Sequence, residues 1–150
     1  MYAVKSLTSQ QQAYIAGFLD GDGSIYVQAK KNPTYKYGYQ IAPYVVLFQS
    51  TKSELNFMQI CNLIGLGHLR RRKDGISEYI IGRIDQLKEF LKIVEPLVIL
   101  KRKQVALMLQ ILDQKEKIEK KEDFEALLKL IDAFREFNYS KKRLKRILTP

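Results

Sequence analysis

The sequence predicts an α+β fold, with a mixed or antiparallel sheet covered by helices on one face and open, polar and aromatic on the other. Three observations carry that prediction. Residues 24–31 and 39–49 alternate apolar and polar side chains with the period of a half-buried strand. Residues 67–73 and 76–82 alternate too, and the Asp74-Gly75 pair between them is a hairpin turn signature. The remaining stretches carry apolar residues every three or four positions, as one face of a helix does. The 150 residues are one domain by size, and 46% hydrophobic content suffices for a single core.

The first element is a helix with Thr8 or Ser9 as N-cap, whose side-chain oxygen can accept an orphan helix N–H. Ile15, Phe18 and Leu19 anchor it to the core. Ala13, Gly17 and Gly21 recur every four residues and form a face small enough for two backbones to approach closely. Glycine in mid-helix costs about 1 kcal/mol against alanine, so Gly17 is expected to have a packing reason. In the first strand Ile25, Val27 and Ala29 point one way and Tyr26, Gln28 and Lys30 the other; Asn32-Pro33-Thr34 breaks it. In the second, Ile41, Val45 and Leu47 oppose Gln40, Ala42, Tyr44 and Val46. Pro43 cannot donate to a ladder, so this strand should lie at a sheet edge, at least there.

Residues 53–64 read as a helix with Leu55, Met58 and Leu63, with Ile60 or Cys61, as its apolar face and Gly65 as its stop. In the hairpin, His68, Arg70 and Arg72 share a face that Glu78 and Ile80 join; Leu69, Tyr79 and Ile81 face the core. Asp85 is expected to cap a helix running to Glu95, with Leu87, Phe90, Leu91 and Val94 inward and Pro96 as its stop. Residues 98–114 carry a helical pattern through Val105, Leu109 and Leu112. A last helix, about 121–137, carries Phe124, Leu127, Leu128, Ile131 and Phe134 as a core stripe, leaving a basic tail at 138–150.

Net charge is +10, which points to a polyanionic partner. Its distribution is sharper than its total. No acid falls between Asp22 and Glu54, where Lys30, Lys31, Lys36 and Lys52 lie. None falls between Glu54 and Asp74, where the run Arg70-Arg71-Arg72-Lys73 lies. The tail carries Lys141, Lys142, Arg143, Lys145 and Arg146 without an acid. Residues 113–136 are mixed in sign and read as a solvated helical surface. One cysteine, Cys61, excludes a disulfide framework and a cysteine-based zinc site, and one histidine, His68, excludes a histidine cluster. No apolar run reaches about 18 residues, and no signal peptide is read at the start.

Two features point toward chemistry. Gln and Arg can pair with adenine and guanine edges, and a two-stranded ribbon fits the major groove. The open face with Tyr26, Gln28, Lys30, Gln40, Tyr44, His68, Arg70 and Arg72 therefore suits DNA, with the lysines of hairpin and tail on phosphates. Asp20 and Asp22 lie at the end of the first helix, where the macrodipole disfavours acids. They either cap a turn or offer carboxylate and carbonyl oxygens to a hard cation such as Mg²⁺ or Ca²⁺.

Residues 14–23, YIAGFLDGDG, resemble the signature decapeptide of the LAGLIDADG homing endonucleases, and Ser24-Ile25 continues the match. The motif occurs once. Gln49, the Gly65-Leu66-Gly67 turn and residues 100–104, LKRKQ, are similar in order and spacing to the single-motif, homodimeric branch, so that the resemblance covers roughly residues 8–112. It implies an αββαββα core with a DNA-binding β-saddle and extra C-terminal helices. It also implies a site-specific double-strand endonuclease that cleaves a long pseudo-palindromic target across the minor groove with 3′ overhangs. Mg²⁺ would be the cofactor, with Mn²⁺ substituting and Ca²⁺ binding without cleavage.

Carried over by position, Asp22 is the metal-binding catalytic aspartate and Gly21 adds a backbone carbonyl; Gln49 and Lys101 stand near the scissile phosphate and attacking water. Tyr26, Gln28, Lys30, Asn32, Tyr35, Gln40, Arg70, Arg72 and Glu78 would contact bases or their neighbours. Ala13, Gly17, Phe18, Asp20 and Gly21 would form the dimer interface. Ala42, Val46 and Ser53 depart from the family's pattern, as does the extra residue in the 73–75 turn. Related proteins commonly sit in organellar introns, so chloroplast or mitochondrion, without a transit peptide, is the expected compartment. Two other readings share the fold: an intron RNA maturase, and a DNA-binding regulator without catalysis.

Overall fold

The computed structural model describes residues 6–138. The element order is α1 (Ser9–Asp22), β1 (Gly23–Lys31), β2 (Tyr39–Ser50), a 3-10 turn (Thr51–Ser53), α2 (Glu54–Ile64), β3 (His68–Arg71), β4 (Ile76–Ile81), α3 (Ile84–Val94), α4 (Arg102–Glu116) and α5 (Lys121–Arg135). The strands form one antiparallel sheet in the order β1-β2-β4-β3. The α+β expectation holds, with the helices on one face.

Thr8 caps α1 in a reciprocal box: its hydroxyl accepts the Gln11 N–H while the Gln11 carboxamide accepts the Thr8 N–H. Ile15, Ala16 and Leu19 are buried, and Phe18 stacks on Phe57 with ring centroids 5.9 Å apart. Pro43 pairs with Val27 of β1, while β4 pairs with β2 only from Val45 onward. The strand is thus central along one half and an edge at the proline, as its missing N–H requires. The tip of the β1–β2 hairpin is held to the helical layer, where Tyr37 stacks on Phe124 of α5.

Three expectations are corrected. The buried face of α2 is Phe57, Cys61 and Ile64; Leu55 is 83% exposed and Met58 also faces out. Both sets are spaced correctly for a helix face, and the sheet takes the one with the large aromatic. Burial pushes the Cys61 thiol up to about 11, as for a small core hydrophobe. Asp85 is not the cap of α3. Arg83 is, and Asp85 sits in the first turn, where its charge suits the helix dipole and pairs with Arg83. Finally, α4 begins at Arg102 rather than near 98: Val98 is buried, but Ile99 and Leu100 lie in an exposed turn.

The hairpin is joined to the rest by two polar contacts. The Tyr79 hydroxyl accepts N–H groups from Leu66 at 3.0 Å and Gly67 at 2.8 Å. Gly65 takes the left-handed cap conformation with φ of 65°, and a Cβ on Gly67 would lie 2.4 Å from the Ile80 carbonyl oxygen. The 65–67 turn is therefore fixed by backbone geometry and one phenol. Tyr79→Phe should cost about 1–3 kcal/mol, because one buried and one half-buried donor lose their acceptor; a denaturant melt checks this, and an unchanged midpoint would show that water replaces the hydroxyl. The second contact is the Glu54 carboxylate. Arg71 donates to it in a fork at 2.6–3.0 Å, and the fully buried Ser77 hydroxyl donates at 3.0 Å. The Arg71 guanidinium holds this carboxyl below its ordinary range.

Candidate functional site

The alternation of β1 and β2 and the register of the sheet bring the sequence-predicted polar residues onto one face. Along it run the pairs Lys30–Gln40, Gln28–Ala42 and Tyr26–Tyr44, then Ser24–Val46–Ile80–His68, then Phe48–Glu78–Arg70. Tyr26 and Tyr44 stack with centroids 5.4 Å apart, and the Gln28 amide donates to the Tyr26 hydroxyl. Arg70 and Arg72 flank Glu78, each 3.9 Å from it, and Arg72 also meets Asp74 at 2.5 Å. Glu78 thereby holds two guanidinium groups over the sheet while offsetting part of their charge. Asn32 folds its own turn, its Oδ1 accepting the Thr34 N–H and hydroxyl, and Tyr35 projects from the same turn. Arg71, the middle of the basic run, points to the other face and binds Glu54, so it is structural.

This open face is an edge-accessible, acid-poor surface of paired hydrogen-bonding side chains with an apolar centre at Val46 and Ile80. Lys141, Lys142 and Arg143 lie outside the described residues. The described chain ends beside this region: Gln104 of α4 donates to the Phe137 carbonyl and to the Asn138 side chain, both at 3.1 Å.

At one end of the face lies the α1 C-terminus, where α1 runs directly into β1. Asp22 is its last residue and is exposed. Among the described residues no group hydrogen-bonds or ion-pairs its carboxylate. Asp20, placed at a dimer interface by the resemblance, has its carboxylate engaged within its own chain. It accepts N–H groups from Ile99 at 2.7 Å, Leu100 at 3.2 Å and Lys101 at 3.1 Å. Partial burial opposes the charge on Asp20, but these backbone donors together hold its pKa below the ordinary value. The Lys101 ammonium donates to the Asp20 carbonyl at 2.8 Å. Lys101 is thus brought to the last turn of α1, the turn that ends at Asp22; the Asp20 clamp itself was not foreseen. Only the coincidence of an acid at a helix end with a matching stretch at 100–104 could have hinted at it.

Gln49 lies on the helix-covered side of β2, opposite Ser77. Its carboxamide oxygen accepts the Ser50 N–H at 2.9 Å, and it lines a recess of about 520 Å³ with Tyr14, Phe18, Ser53 and Asn56. No hydrogen bond links it to Asp22 or Lys101 among the described residues. A second cleft, of about 700 Å³, is walled by Asp20, Tyr26, Lys101, Arg102, Lys103 and Gln104. Ala13, Gly17 and Gly21 are exposed, and a Cβ at either glycine would meet nothing within 4 Å of its own chain. Among the described residues these glycines have no packing reason.

No group of three His, Cys, Asp or Glu side chains capable of holding a metal ion occurs among the described residues. One chain supplies the Asp22 carboxylate and the carbonyl oxygens of the last helical turn, Gly21 included. These are hard oxygen donors of the kind Mg²⁺ accepts when water and phosphate complete the shell.

A profile of the LAGLIDADG endonuclease family matches residues 15–112. DNA endonuclease I-CreI of Chlamydomonas reinhardtii is 39% identical over 101 residues, 67% of this chain and 61% of the relative. DNA endonuclease I-CvuI of Chlorella vulgaris is 36% identical over 100 residues, 67% of this chain and 62% of the relative. The chain thus spans less than two thirds of the length of these relatives. The crystal structure of I-CvuI in complex with the I-CreI target, in the presence of Mg and with the DNA not cleaved, superposes with a TM-score of 0.84. It is 30% identical and covers 90% of this chain and 86% of that one.

Proposed function

The chain belongs to the LAGLIDADG endonuclease family, and from that premise we propose that it is a site-specific double-strand DNA endonuclease acting as a homodimer on a long pseudo-palindromic target. The observation that carries this reading is the Asp22 carboxylate. Unpartnered among the described residues, it stands at the end of α1, in the turn that holds the Lys101 ammonium, and at the head of the strand whose polar row is built to meet a duplex.

Each β1 of 9 residues spans roughly 30 Å at about 3.3 Å per residue, or about 9 base pairs at 3.4 Å each. Two copies therefore cover about 20 base pairs. One Asp22 per chain is too few for two strands, and the space over Gly17 and Gly21 lets a second α1 approach along the same face. The half-sites would then be related by the protein's two-fold axis. On this reading Asp22 and the Gly21 carbonyl hold the metal, Gln49 orients the attacking water, and Lys101 faces the charge that develops on the phosphate. A bound Mg²⁺ supplies charge neutralisation at the phosphorus centre and a more acidic water. Mn²⁺ should substitute, and Ca²⁺ should support binding without cleavage. Tyr26, Gln28, Gln40, Arg70 and Arg72 read bases; Lys30 meets phosphate. The compartment we propose is a chloroplast or mitochondrion that encodes the chain, which organelle fractionation with an antibody tests.

Cleavage of a randomised library of duplexes of about 20 base pairs, in Mg²⁺, Ca²⁺ or EDTA, tests the whole reading. Cutting of a near-palindromic site in Mg²⁺ alone, with 3′ overhangs, is the expected result. Binding without cutting in Mg²⁺ would make the protein a DNA-binding regulator. Neither binding nor cutting, with retention of intron RNA, would make it a maturase.

A further inference from the structure

We propose that Asp20 is a positioning residue for cleavage: by gripping the backbone of residues 99–101 with its carboxylate and the Lys101 ammonium with its carbonyl, it fixes that ammonium at the last turn of α1, the turn that ends at Asp22. The proposal rests on the endonuclease reading above.

The geometry holds Lys101 from both ends. Three consecutive N–H groups, 79–81 residues away in sequence, converge on the two oxygens of one carboxylate. The side chain of the third then returns to the same residue's carbonyl at 2.8 Å. A mere turn pin would need no relation to that ammonium. Little else holds the turn. Ile99 is 72% and Leu100 79% exposed, and no side chain caps α4 at Lys101. A segment with few buried contacts opens easily, and a lysine side chain carries about 2 kcal/mol of rotamer entropy. The Asp20 carbonyl is also one of the last four of α1, which have no helical partner of their own. Placing the ammonium there, two residues from Asp22, brings positive charge to the site without pairing it to the carboxylate that must take the metal. A direct Asp22–Lys101 ion pair would compete with the cation.

The test is a double-mutant cycle on the target selected from the library, with Asp20→Asn, Lys101→Met and both together. Single-turnover cleavage is read in Mg²⁺, duplex affinity in Ca²⁺, and association state by sedimentation. Asp20→Asn should slow cleavage about 10–100-fold, as loss of a supporting partner does, with affinity within about threefold of the parent. In the Lys101→Met background the same change should cost less than about threefold. Asp20→Glu, which keeps the carboxylate, should recover part of the loss. An equal fall in both backgrounds would overturn the proposal, since Asp20 would then act without Lys101. Loss of the dimer would overturn it in favour of an interface role, and unchanged cleavage would overturn it outright. Amide exchange on the unmutated protein is independent of any variant: Ile99, Leu100 and Lys101 should be protected, and exchange typical of an open turn would also overturn it. If the unmutated protein cuts nothing, the endonuclease reading itself fails, a result distinct from cleavage that ignores Asp20.

Discussion

Asp22→Asn should abolish cleavage, with a loss on the order of 10³-fold or more, while leaving target affinity in Ca²⁺ within a few-fold. The size follows from the metal-binding role proposed for the carboxylate. A metal at the reacting phosphate is worth several kcal/mol of transition-state charge stabilisation, and each 1.4 kcal/mol is about tenfold in rate. Asn is the same shape but offers a neutral oxygen, and among the described residues no group of three His, Cys, Asp or Glu side chains is placed to hold the ion instead. The fold should not suffer. Asp22 has no partner among the described residues, and an acid at a helix C-terminus faces the negative end of the dipole. Its neutralisation should therefore leave the melting temperature unchanged or raise stability by about 0.3–1 kcal/mol. Single-turnover cleavage and a thermal melt on the same preparation decide the matter. Full cleavage by the variant would remove Asp22 from the metal site. Lost cleavage with a collapsed melt would make the residue structural.

That opposition between stability and function explains why this stretch could be read directly. An acid where the dipole disfavours it, among glycines where a helix disfavours them, is locally inconsistent, and local inconsistency tends to mark working sites. Strands were legible for a simpler reason. In residues 24–31 and 39–49 the side-chain period is two, and one face had to be buried, so Ile25, Val27, Ala29, Val45 and Leu47 could only face the core. The α2 face was not legible, because Leu55 and Met58 satisfy the helical period as well as Phe57, Cys61 and Ile64 do. Only the position of the sheet chooses between them. The start of α4 failed for another reason: the apolar run at 98–100 continues the helical pattern, but Asp20 captures those N–H groups from a distance no local rule can see. Likewise the run Arg70-Arg71-Arg72 reads as one basic patch, whereas the pleat sends Arg71 to Glu54 and leaves the other two on the open face.

Gly17→Leu should convert the protein into a folded monomer that cannot make double-strand breaks. Among the described residues a Cβ at Gly17 meets nothing within 4 Å, and replacing glycine in a helix should favour α1 by about 0.8 kcal/mol. A loss of association with the fold intact would therefore point to a contact with a second chain. If Ala13, Gly17 and Gly21 form the face on which two α1 helices meet, a leucine there holds the backbones apart and the small-residue contact is gone. The cost is large because two functions share it. Separated chains read one half-site each, so affinity for the full target should fall by about 10²–10⁴-fold as the second contact ceases to be intramolecular. With one Asp22 per chain, coordinated cutting of both strands ends as well. Sedimentation should give the mass of a single chain with far-ultraviolet dichroism of the parent, and a plasmid assay should show no linear product. A variant that stays dimeric and linearises its target would place the two-fold contact elsewhere, and the exposed glycines of α1 would then need another explanation.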